Sequence, residues 1–213
     1  MTTTLINPNR AKQIQKLRIL KGHHFDPLAE GGGCIMDLAS WQLAGDERVT
    51  DHHPCISGVI GEFLRSWNDA LPTDDDRDRI LRDLIPLLPG TASTPDVEQA
   101  RALLALDWHL RVSTPAWLSL VPGLVAIAEE MRAMPFVTIQ NADDFNALNQ
   151  RAATKARAAR AAAWAAAWDA AGDAAWAAAW AAAGDALTPT TIELQASALE
   201  LVHSMIILTE VPA

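Results

Sequence analysis

Residues 161–186 read AAAWAAAWDAAGDAAWAAAWAAAGDA, and a stretch of that composition has one regular conformation open to it. Alanine loses no side-chain entropy in a helix and is the best helix former. The tract repeats with a period of twelve, WAAAWDAAGDAA followed by WAAAWAAAGDAL. Trp164, Trp168, Gly172, Trp176, Trp180 and Gly184 fall every fourth residue. Four residues turn about 400°, so this row drifts about 40° per step and spirals round the helix. The pattern predicts a helix from Phe145 to about Ala186, about 60 Å long if unbroken. Either it breaks at Gly172 or it projects and finds a partner. Small residues let another helix approach closely, and tryptophan is the residue most enriched at binding hot spots. Trp164, Trp168, Trp176 and Trp180 are therefore the candidate interaction residues. They cover the chain's own core, pair two copies, or hold a protein partner. The preceding Arg151, Lys155, Arg157 and Arg160 read as a solvated helical face.

The rest of the chain is punctuated as helices. Ile14, Leu17 and Leu20 give helical spacing between Asn9 and Lys21, with Gly22 as a stop. His23 to Gly33 reads as a loop, and its Gly-Gly-Gly run as a flexible one, with anion binding the weaker alternative. Cys34 to Leu43 is a short helix. Asp51 to Pro54 reads as a turn and helix start, followed by an apolar stripe of Val59, Ile60, Phe63, Leu64 and Trp67. Thr73 or Asp74 caps the next helix, and Thr94-Pro95 starts another that runs to Val112. Pro115 and Pro122 open two further segments. Pro135 to Ile139 is a short strand or an extended linker, and Asn141 to Asp144 caps the long helix. A last apolar helix runs from Thr191 to Leu208, capped by Thr190 or Thr191. No segment sustains a period of two. The expected fold is all-α, with seven to nine helices. Residues 1–140 form the core domain, and 141–213 form the long helix and its apolar successor.

Composition narrows the function classes. The chain has 213 residues and is 50% hydrophobic, enough for one good core. A net charge of −9 argues against phosphate-driven nucleic-acid binding. No apolar run of about 20 residues predicts a membrane span, since Asp169, Asp173 and Asp185 interrupt the alanine tract. Two cysteines are too few for a disulfide framework, and the charged start does not read as a signal peptide. The expectation is a cytoplasmic protein with reduced thiols.

The chemistry-bearing residues concentrate between Gly22 and Asp69, which hold four of the six histidines and both cysteines. His24, Cys34, His52 and Cys55 offer the two nitrogens and two sulfurs that zinc prefers in structural sites. His52 and Cys55 are three apart, as are Cys34 and Asp37. Asp37 or Asp51 is placed to replace a ligand or to hold a histidine ring. No CxxC is present, so zinc, simple core packing of the cysteines and a reactive thiol all stay open. Asp37, Asp51, Asp69 and Asp107 are the candidate acid–base carboxylates, near apolar faces where burial shifts a pKa. Their alternative role is capping and cross-linking helices.

Several short motifs recur in order: Gly22 to His24, Cys34 to Asp37, Gly45, Asp51-His52, Cys55, Val59-Ile60 and Arg65 to Asp69. Leu84 to Pro86, Gly90-Thr91, Thr94-Pro95, Leu106 to Trp108 and Pro115 to Trp117 continue the series. In these, and in its Ala/Trp-rich tract, the chain resembles a family of small uncharacterised proteins of actinobacteria and their phages. That family has Glu at the place of Asp37 and a single His where this chain has His52-His53. The resemblance implies no known activity. The expectation is a non-enzymatic helical binding protein, phage-related, an inhibitor or sponge of a host factor. The alternative is a metal- or thiol-dependent enzyme with its site at His24, Cys34, Asp37, His52 and Cys55.

Overall fold

A computed structural model describes residues 6–43, 49–170 and 173–211, and among these it does not describe the side chains of 142 and 159–186. The all-α expectation holds. The described helices are α1 (Pro8–Ile14), α2 (Pro27–Glu30), α3 (Ile35–Trp41), α4 (Gly58–Ala70), α5 (Asp74–Leu81), α6 (Pro95–Trp108), α7 (Thr114–Leu118), α8 (Val125–Ala133), α9 (Ala142–Ala170) and α10 (Asp173–Ile207). Setting aside α2, a single turn, leaves nine. Two strands of two residues each, β1 (Arg18–Ile19) and β2 (Gly32–Gly33), pair in parallel.

The chain forms two compact units, one of residues 1–102 with 202–213, the other of 103–201. The boundary expected at 140 falls inside the second unit. There, residues on both sides of it share one apolar core: Leu110, Leu124, Ile127, Met131 and Val137 with Phe145, Leu148 and Ala152.

In the first unit, α4 buries Ile60, Leu64 and Asn68, spaced by four along one face. Gly61 lets α3 come close: a Cβ there would lie 3.2 Å from Met36 Cε. Arg101 is buried beneath the chain's end. Its guanidinium donates to the carbonyls of Thr91, Met205 and Leu208 and to Glu98.

In the second unit, His109–Ser113 forms a π-helical segment after α6. Thr114 N–H reaches back five residues to His109 O. Pro115 supplies the reason, since it has no N–H to continue an α-helical ladder. Trp108 Nε1 donates to Ser197 Oγ at 2.5 Å, tying α6 to α10.

Several boundaries differ from the sequence reading. The first helix stops at Ile14 because the chain turns to pair Arg18 and Ile19 with the glycine run. That run is no flexible loop. Gly31, at φ 77°, ends α2, and at Gly32 a Cβ would lie 2.2 Å from Arg18 O. Only glycine admits so close a backbone approach. Helix α4 starts at Gly58 rather than at Pro54, because Ser57 Oγ accepts the Ile60 N–H as N-cap. Helix α10 runs through Pro189 without a new start at Thr190 or Thr191. Thr191 does not cap: its hydroxyl donates back to Leu187 O. Pro135 to Thr138 forms no strand and carries no regular secondary structure.

Candidate functional site

The site begins with a helix cap. Cys34 is the N-cap of α3, and its Sγ accepts the Asp37 N–H at 3.4 Å. Asp37 Oδ2 returns the bond by accepting the Cys34 N–H at 3.0 Å. This is a capping box with Cys and Asp in the places usually held by Ser or Thr and Glu. The three-residue spacing that suggested paired metal ligands is the spacing of this cap.

Asp37 is fully buried, and its carboxylate gathers more than the cap. Oδ2 also accepts the His24 N–H at 2.8 Å, and Oδ1 lies 2.5 Å from His23 Nδ1. The carboxylate therefore stitches the 22–24 segment onto the start of α3. From α4, Asp69 Oδ1 accepts the Gly22 N–H at 3.0 Å. Its neighbour Asn68 is buried: the Asn68 amide donates to Leu20 O, and its Oδ1 accepts the Ile35 N–H. Arg65 donates to Asp51 O.

His24 points the other way. Nδ1 lies 2.7 Å from Glu30 Oε2, and Nε2 lies 3.1 Å from Lys21 O. Both partners only accept, so both ring nitrogens carry protons when both bonds form. Burial pulls the His24 pKa down, but Glu30 and the Lys21 carbonyl outweigh it and hold the pKa above its ordinary value. Glu30 in turn sits below the ordinary carboxylate range, first because it accepts the Asp26 N–H and then because of His24. Asp26 caps α2 through the N–H groups of Leu28 and Ala29.

The structure directs the four expected zinc ligands to different partners. His24 bonds Glu30, and Cys34 caps α3. The His52 side chain is 66% exposed, with Nε2 3.7 Å from Asp51. Cys55 is half-buried, and its carbonyl accepts from Gly90 and Ala92. Residues 51–56 form turns, so His52 and Cys55 do not share a helical face. Among the described residues no group of three or more His, Cys, Asp or Glu is arranged to hold a metal ion. Of the acid–base candidates, Asp37, Asp51 and Asp69 surround or underlie one small cavity. Asp107, in the second unit, forms a two-pronged ion pair with Arg111 at 2.6 and 2.7 Å and accepts the Val137 N–H.

That cavity, lined by Gly22, His23, Cys34, Asp51, Arg65, Asn68 and Asp69, measures about 40 Å³. It has room for a water or two, whereas ligand pockets run to several hundred Å³. A larger hollow of about 540 Å³ lies along α9, but Ala147, Gln150, Arg151, Thr154 and Lys155, all exposed, line it. Arg151 there pairs with Glu130 at 2.9 Å. The thiol of Cys34 is an unsuitable nucleophile, because burial and the neighbouring Asp37 push its pKa up.

Trp164, Trp168, Trp176 and Trp180 belong to the side chains outside the description, as does any break at Gly172. What sequence reasoning missed is His23, the ring that Asp37 holds, and Phe25, which stands 79% exposed beside it. Phe25 meets the His23 ring edge-on at 4.4 Å. The exposure of an aromatic inside a polar, proline-containing loop leaves no periodic signal to find.

No family model, no curated protein and no solved structure matches the chain. Among the described residues no helix is long and apolar enough to cross a membrane.

Proposed function

We propose that this chain works by binding a protein partner and not by catalysis. The observation that carries the reading is how the 22–69 cluster uses its groups. Asp37 anchors three N–H donors, Cys34 caps a helix, and Asn68 and Asp69 fasten a loop. The space they leave is about 40 Å³, too little for a substrate. Such a knot is a scaffold. The resemblance to actinobacterial and phage proteins directs the search to a host protein, which this chain would inhibit or sequester.

The test immobilises the full chain and passes actinobacterial extract over it, with a scrambled-charge protein of equal size as control. A single protein retained in near-equimolar amount supports the reading. Extract that leaves nothing bound, at low and at physiological salt, overturns it.

One observation favours an enzyme instead: a buried carboxylate holding an imidazole that is 28% exposed, as in a general base and its orienting acid. Zinc remains the other enzymatic route. Elemental analysis of protein purified without a tag or chelator, beside the Cys34→Ser, Cys55→Ser double variant, decides that route. About one equivalent of zinc, lost in the variant, would establish a metal site.

A further inference from the structure

We draw no further inference here: the strongest candidate, the exposed apolar pair Phe25 and Leu28 on the loop of residues 22–30, has charges of both signs around it, Lys21 as well as Asp26 and Glu30, and nothing in the structure shows what covers it.

Discussion

Replacing Asp37 separates the two things its carboxylate does. In Asp37→Ala the N–H groups of Cys34 and His24 and the ring N–H of His23 all lose their acceptor. The first two are main-chain donors at the knot. A buried donor left unpaired costs about 1–3 kcal/mol, and loss of a helix cap overlaps with the Cys34 share. The His23 ring is 28% exposed, so water replaces much of its bond. The expected loss is about 3–5 kcal/mol, a large part of the stability of an ordinary domain. Asp37→Asn keeps the shape and one carbonyl oxygen. Turned toward the two main-chain donors, that oxygen satisfies both, and the amide N–H₂ then faces His23. The imidazole can accept there by moving its proton to Nε2. What is lost is the charge behind all three hydrogen bonds, about 2 kcal/mol in total.

The assay is urea unfolding of the full chain, followed by tryptophan fluorescence. With a slope of about 2 kcal/mol per molar, alanine should lower the midpoint of the first unit by roughly 2 M and asparagine by about 1 M. An alanine variant that shifts the midpoint no further than asparagine would refute the reasoning. The carboxylate would then not be holding the loop.

Four further outcomes follow from the same geometry. The raised His24 pKa adds stability that is complete below its ordinary 6.5 and is lost as pH rises through the raised value. The lowered Glu30 pKa adds stability that is complete above its ordinary 4.5 and is lost on acidification. The loop is therefore best held between those two values, and NMR titration of the His24 ring should give a midpoint above 6.5; a midpoint at or below it contradicts the Glu30 bond. Of the two thiols, Cys55 should react with a thiol reagent in the native protein, and Cys34 only on unfolding; equal rates would contradict the burial of Cys34. Gly32→Ala should cost several kcal/mol, because the new Cβ meets the Arg18 carbonyl; a melting temperature within a degree of wild type would refute the strand pairing. Arg101→Met takes this donor from the carbonyls of Thr91, Met205 and Leu208 and leaves Glu98 with Ser57 and Val59, and should cost about 3–5 kcal/mol, with proteolysis from the C-terminus as a second readout.

Much of the helical frame was legible because its signals are local. Thr73 caps α5, and Thr94 followed by Pro95 opens α6, as their side chains dictate. The errors lie where a distant partner decides. Nothing near Gly31 to Gly33 announces that Arg18 and Ile19 will lie against it, so a strand read as a flexible loop. Ser57 outcompeted Pro54 as a helix start because Glu98, 41 residues away, accepts its hydroxyl proton at 2.6 Å. The Gly22 to Asp69 stretch was singled out for its chemistry-bearing residues, and the structure joins several of them as a helix cap and a loop anchor. Spacing by three fits a metal pair and a capping box equally well. Only the third dimension shows that Cys34 and Asp37 bond to each other and to the loop.

The two histidines of the loop illustrate how one dipeptide can perform two separate tasks. His23 bonds inward to Asp37 and places Phe25 against its edge. His24 bonds along the loop to Glu30 and Lys21 and fixes where Asp26 and α2 begin. With both made, the backbone leading into Phe25 is held at two points, and the aromatic stands beside His23 facing solvent. A chain that needed only a stable core could leave Phe25 polar without disturbing a single one of these bonds. These bonds therefore fix the loop at the exposed face and add nothing to the apolar core.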